Sequence, residues 1–331
     1  MTTSPADPSA PHPDGAIPLV RVVRNGLTEC VHHGSLVITA PDGSVLSAIG
    51  DVTPPVFPRS SNKPFQAATA LACGSGLSGA DLALSAASHS GEPEHVRRVL
   101  GILAGAGLSE DDLGCPPDLP LDDEARHAVV AAGGGPARRY MNCSGKHAGM
   151  LAACVASGWD TASYLEANHP LQQAVAGRIT DLSGEVPATV GVDGCGAPLF
   201  ALSLAGLARA FGRAAAAPAG SADRTVTDAM RAHPFLVAGT GRDDTLLMRA
   251  HPGLLVKGGA EGVHCAALAD GTAIALKVSD GASRARMPLL TAALAHLGLA
   301  SETLDELAAS PVLGGGRPVG VTEVIPGALA W

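Results

Sequence analysis

The chain has 331 residues, enough for one large domain or two, and its 46% hydrophobic and 16% charged content describes a globular protein. A formal charge of −9 with no basic stripe excludes nucleic acid as a partner, because phosphate contacts need clustered lysine and arginine. No apolar run approaches the roughly 18 residues that a membrane helix requires, and the seven cysteines lack the regular spacing of a disulfide framework.

The first residues, "MTTSPADPSAPHPDGAIP", have neither a basic start nor an apolar core. They are expected to be a disordered tail over residues 1–17 rather than a signal peptide, with a cytoplasmic location for the protein. In "GSLVITAPDGSVLSAIGD" two β-rich runs flank Pro41-Asp42-Gly43, which predicts a hairpin. From Ser60 to Ala72 the apolar residues recur at helical spacing, and Pro64 is tolerable only in a first turn. A polar loop over Ser88–Glu92 then separates an apolar approach from a helix that runs to about Gly105. "NCSGKHAGMLAACVASGW" reads as a loop turning into a helix that stops near Gly158, with Ser144 as a candidate N-cap. "PATVGVDGCGAPLFALSLAGLARAF" reads as strand, glycine loop and helix, and another helix ends near His233-Pro234. Three β-like runs split by glycine loops and Asp270-Gly271 follow, and then the helix "SRARMPLLTAALAHLG".

Strands at both ends and helices between them predict a single α+β domain over 18–331, with a mixed sheet that joins N- and C-terminal strands around a helical middle. With a serine and a lysine at the head of a central helix, the arrangement resembles the serine β-lactamase and penicillin-recognising folds.

Five stretches carry candidate chemistry. In "FPRSSNKPFQ", Ser60 and Lys63 lie three residues apart, so a helix puts them on one face with the lysine able to take the serine's proton. Burial near a helix N-terminus would lower that lysine's pKa, and the free N–H groups there suit an oxyanion. The plain alternative is an N-cap serine beside a solvated lysine. "ASHSGEPEH" crowds Ser88, His89, Ser90 and Glu92 into one loop, which also fits a turn and helix cap. In "MNCSGKHAGM", Cys143 and Lys146 again stand at i and i+3, a setting that favours a thiolate and metal ligation. "VGVDGCGAP" displays Asp193 and Cys195 between glycines, where a carboxylate could hold an α-amino group. Lys257 in "LVKGGAEG" ends a strand before two glycines. The two cysteine loops could equally hold structural cysteines and a turn aspartate, since neither CxxC nor HExxH is present, and a strand-end lysine is ordinarily solvated.

Together "RSSNKPFQA", "ASHSGEPEHV", "NCSGKHAGML", "GVDGCGAP" and "VKGGAEG" resemble, in this order, the rhizobial-type L-asparaginases, the class 3 or asparaginase II family. The match runs from "RNGLTECVHHGSLVI" to "LKVSDG". The resemblance implies a homodimeric amidohydrolase that cleaves L-asparagine to L-aspartate and ammonia. It implies two Ser-Lys pairs, Ser60 with Lys63 and Ser88 with Lys257. It also implies substrate contacts from Asp193, with Arg59 and Ser90 in the same motifs, and a zinc on Cys143, Lys146 and Cys195. That zinc is expected to tune or order the site rather than act as the electrophile. Some members carry a cysteine where this chain has Asp244. Other readings are an L-glutaminase, a β-lactamase-like or peptidase-like serine hydrolase, and a non-catalytic zinc or thiol sensor.

Overall fold

The structure is a computed structural model that describes residues 15–331, so the predicted tail up to residue 14 lies outside the described residues. Strand β1 (Ile17–Arg24) turns into β2 (Leu27–Thr39) through Asn25 and Gly26. Both turn residues have positive φ, 48° and 82°, as a two-residue hairpin of matching twist demands. Ile17, the last residue of the predicted tail, pairs with Gly34 in the sheet. The expected hairpin around Pro41-Asp42-Gly43 joins β2 to β3 (Val45–Ile49).

The middle of the chain is helical: α1 (Lys63–Ala72), α2 (Gly79–Ser85), α3 (Pro93–Gly105), α4 (Asp123–Ala131), α5 (Ser144–Ser157) and α6 (Pro170–Ser183). Two small strand pairs interrupt it. Strand β4 (Pro55–Val56) pairs with β7 (Leu202–Ser203), and β5 (Val190–Val192) pairs with β6 (Pro198–Phe200). Helices α7 (Leu204–Ala215), α8 (Ala222–Ala232), α9 (Pro234–Val237) and α10 (Asp243–Ala250) lead back to the sheet. Strands β8 (Leu255–Gly258), β9 (Val263–Ala267) and β10 (Ala273–Val278) follow. After them come α11 (Arg286–His296), α12 (Glu302–Ala308) and a last hairpin, β11 (Ser310–Gly314) with β12 (Arg317–Val324).

The main sheet has the order β11-β12-β1-β2-β10-β9-β8, with β3 also on β2, and every pairing is antiparallel. The chain is thus α+β, with its first and last described strands in one sheet. Strands β9 and β10 are buried at successive residues rather than at alternate ones, so both sheet faces are covered; α7 and α11 each pack on them. A second apolar cluster joins α1, α2, α3 and α5, and includes Leu84, Val99, Leu103, Leu151 and Cys154. The candidate site lies where this helical layer meets β8.

Three sequence expectations change in detail, the first being the mixed sheet, which is antiparallel in every pairing. Helix α1 begins at Lys63 and not at Ser60, because a 3-10 turn over Arg59–Asn62 precedes it. Ser144 is the first residue of α5, not its cap. Its hydroxyl donates to the Arg139 carbonyl and meets His89 Nε2 at 2.9 Å.

Candidate active site

Ser60 sits in the 3-10 turn directly after Arg59, whose φ of 51° is unusual for a side-chain-bearing residue. Pro58 opens that turn, and Pro64 is accommodated in the first turn of α1, where its missing N–H has no intrahelical partner. The Ser61 hydroxyl donates to the Lys257 carbonyl at 2.9 Å, which pins the turn to the end of β8. Gly259 is required by this approach: a Cβ there would stand 2.7 Å from the Pro58 carbonyl oxygen.

The two lysines converge on one hydroxyl. Lys63 Nζ donates to Ser88 Oγ at 2.9 Å and to the Ala87 carbonyl at 2.7 Å. Lys257 Nζ donates to the same Ser88 Oγ at 3.0 Å and to the Gly258 carbonyl at 2.8 Å. Both lysines are fully buried, at 1% and 0% exposure, which is rare for the residue type and marks a specific task. Ser88 with Lys257 is therefore a contact, whereas Lys63 turns away from Ser60 to Ser88, and no hydrogen bond joins Ser60 to Lys63. Burial pulls the Lys257 ammonium down to about 8, against the upward pull of Asp244, and the charge of Lys63 adds to the lowering.

Ser60, Ser88 and Lys257 line one pocket of about 230 Å³, with Asn142, Arg242 and Asp244 also on its wall. That is below the roughly 300–1,000 Å³ of sites for drug-sized ligands and suits a molecule of amino-acid size. Among the expected substrate contacts, Asp193 accepts a 2.7 Å hydrogen bond from Arg59 Nε, and Arg59 Nη1 lies 3.5 Å from Glu261. Burial pushes the Asp193 carboxyl up, but the Arg59 hydrogen bond and the Lys146 charge outweigh it and hold the carboxylate ionised. Ser90 is 2% exposed and donates to the Ala238 carbonyl; its oxygen takes a long contact, 3.4 Å, from Arg242 Nη1.

Arg242 and Glu261 escaped the sequence reading. Arg242 is the N-cap residue of α10 in "GRDD", and Glu261, with its φ of 54°, stands before the last glycine of "GGAEG". His89, crowded between serines in the sequence, takes no part in the pocket. Its Nδ1 accepts from the Gly91 N–H while Nε2 faces Ser144, and burial depresses its pKa well below the usual value.

Cys143, Lys146 and Cys195 come together. Lys146 Nζ donates to Cys195 Sγ at 2.9 Å, and all three are buried. A hydrogen bond with Cys195 lowers the Cys143 thiol well below its usual pKa, helped by the charges of Lys63 and Lys146, while the Cys195 thiol is raised by Cys143. The pair thus shares one negative charge beside an ammonium. Among the described residues no group of three or more His, Cys, Asp or Glu could hold a metal ion. Any metal here would need the lysine nitrogen as its third donor. Beside the cluster, His147 Nε2 is buried with no hydrogen-bond partner, while its Nδ1 meets the Tyr164 hydroxyl at 2.5 Å. Two sulfurs and an amine are donors of the soft nitrogen–sulfur kind that zinc takes.

Among the described residues no helix is long and apolar enough to cross a membrane. Comparison with curated proteins finds no match. Among solved structures the chain is similar to a putative β-lactamase from Bacteroides dorei DSM 17855, at 18% identity and TM-score 0.40, over 74% of this chain and 84% of that one. It is also similar to a β-lactamase from Mycobacterium bovis, at 14% identity and TM-score 0.38, over 76% and 88%. A structure described as Mglu aligns at 15% identity and TM-score 0.32, over 76% of this chain and 62% of the other. Likenesses this distant say nothing about chemistry. The family model for L-asparaginase II matches residues 20–324, almost the whole described chain, and the chain belongs to that family.

Proposed function

We propose that the protein is an L-asparagine amidohydrolase of the rhizobial-type, class 3 kind. The observation that carries the proposal is the Ser88 hydroxyl held between two buried lysines in a pocket of amino-acid size that Ser60 also lines. A hydroxyl gripped from both sides is built to pass protons. A hydroxyl facing the same pocket without a lysine bond is free to attack.

Neutral Lys257 takes a proton from Lys63 through Ser88, and the Lys63 amine so freed turns to Ser60 and takes its proton as Ser60 Oγ attacks the side-chain amide carbon of L-asparagine. The Lys63–Ser88–Lys257 chain then delivers a proton to the departing nitrogen as the C–N bond breaks. Ammonia leaves and an aspartyl ester remains on Ser60. Water attacks that ester, its proton returns along the same chain, and L-aspartate is released. Lys257, with a pKa of about 8, can hold or release a proton near neutrality, as a relay station must. Asp193 serves the substrate's α-ammonium, oriented by Arg59. Arg242, which has no carboxylate partner among the described residues, serves the α-carboxylate. Ser90 supports Arg242 from behind.

Cys143, Cys195 and Lys146 would hold a zinc ion. Bound there, the ion supplies positive charge that keeps the thiols ionised and the neighbouring loops fixed. We place the working unit as a cytoplasmic homodimer. Ammonia release from L-asparagine, L-glutamine and no-substrate controls tests the activity, with nitrocefin as a β-lactam probe. Asparagine-selective release with no nitrocefin turnover supports the proposal. Glutamine preference would favour the glutaminase reading. Zinc binding with no amide hydrolysis would favour a sensor.

A further inference from the structure

Asp244 is the second residue of α10 and takes no part in the proton path proposed above. It is 7% exposed, and each of its oxygens is occupied. His264 Nε2 meets Oδ1 at 2.8 Å, and the Gly258 N–H donates to Oδ2 at 3.0 Å. Oδ2 also lies 3.6 Å from Lys257 Nζ. His264 Nδ1 is buried without a partner among the described residues, so the ring's proton belongs on Nε2, pointing at the carboxylate. Burial holds that imidazole below its usual pKa, hence neutral, against the pull of Asp244. The carboxylate therefore keeps its full negative charge, and burial fails to raise its pKa because Lys257 and His264 outweigh it.

The charges around Lys257 make that carboxylate necessary. Lys63 faces it from α1 and Arg242 from the head of α10, both cations, while the Cys143 thiolate before α5 and Asp244 are the anions. Of the anions, Asp244 alone is within ion-pair reach of the Lys257 ammonium among the described residues. Lys257 is otherwise tied to the Gly258 carbonyl, one residue along the same backbone whose N–H Asp244 grips. Carboxylate, strand end and ammonium form one rigid unit, with His264 fixing the carboxylate from β9.

We propose that Asp244 is the positioning counter-charge of Lys257: it aims the ammonium at Ser88 and keeps the proton on it against Lys63 and Arg242.

The assignment rests on the relay proposed above for its purpose but not for its test, which needs no substrate. The chain has four lysines, Lys63, Lys146, Lys257 and Lys277, so ε-carbon-labelled lysine in the full-length protein gives a sparse NMR spectrum, assigned with Lys257→Arg. The Lys257 resonance is expected to titrate with a midpoint near 8 in the parent protein. In Asp244→Asn it should fall by more than about one pH unit, the size expected when a single close opposite charge is removed. Asp244→Ser, smaller and uncharged at every pH used, should shift it the same way and serves if the amide variant fails to fold. An unchanged Lys257 midpoint in whichever folded variant is measured overturns the proposal and leaves Asp244 a structural helix residue. Where L-asparagine is turned over, the acid limb of kcat/KM moves with the same midpoint. A parent enzyme inactive on L-asparagine yet showing the NMR shift would sink the proposed function and leave the charge assignment standing.

Discussion

Replacing Ser88 by alanine removes the one atom that touches both lysines. Its oxygen accepts at 2.9 Å from Lys63 and 3.0 Å from Lys257, each bond to a charged donor being worth about 1.5–3 kcal/mol. Folding loses less than that sum, because Lys63 retains the Ala87 carbonyl and Lys257 the Gly258 carbonyl. Catalysis loses more. With the bridge gone the two nitrogens have no atom through which to exchange a proton, and a positioned proton carrier contributes about 10²–10⁴-fold. That corresponds to about 3–5 kcal/mol of barrier at about 1.4 kcal/mol per tenfold. Ammonia release from L-asparagine, followed at several substrate concentrations, should show kcat falling by at least about 10²-fold in Ser88→Ala. KM should change little, since Ser88 is not asked to bind the ground state. A kcat within about tenfold of the parent enzyme, in a variant with unchanged melting temperature, would refute the relay.

Lys257 must give up a proton to act as acceptor, and its pKa is depressed, so the active form is lost as pH falls through about 8. The kcat/KM profile for L-asparagine should accordingly rise from pH 7 and level above about 8; a profile flat from pH 6 to 9 would remove Lys257 from the essential groups. Gly145→Ala should destabilise the fold by about 1–3 kcal/mol, because a Cβ there would stand 2.5 Å from the Leu84 carbonyl where α5 crosses α2. Its melting temperature should drop, and an unchanged one would mean that the helices separate freely. Chelation should strip zinc, measured by atomic emission, and Cys143→Ala or Cys195→Ala should prevent its binding. Chelated protein that stays folded is expected to keep measurable amidase activity, and complete loss would give the metal the electrophile's role.

The sequence carried the α+β class and the joining of the first and last strands in one sheet, and it named residues that gather around Ser88 and Cys195. Strings such as "SHSGE" and "NCSGKH" place Ser88, Cys143 and Lys146 because local motifs need only a loop and a helix start, both punctuated by glycine and proline. Partnership was less readable. The i, i+3 spacing pointed Lys63 at Ser60, yet a lysine stem is long and flexible, and burial let its ammonium choose Ser88 and the Ala87 carbonyl across the loop. Asp244, marked only as a departure from the family, acquires its neighbours from β8 and β9, a pairing that no local pattern announces. The same limit hid the sheet's far edge. Strand β1 has a hairpin signal in Asn25-Gly26 that the proline-rich start obscured, and β11 with β12 is a short, largely exposed hairpin without strong alternation.

The most direct test of the account is intact-mass and peptide mass spectrometry of enzyme quenched during L-asparagine turnover, on the parent protein and on Ser60→Ala. An aspartyl ester on the Ser60 peptide of the parent protein, absent together with ammonia release in the variant, is the predicted result. An ester on Ser88 instead, or full turnover by Ser60→Ala, would contradict it.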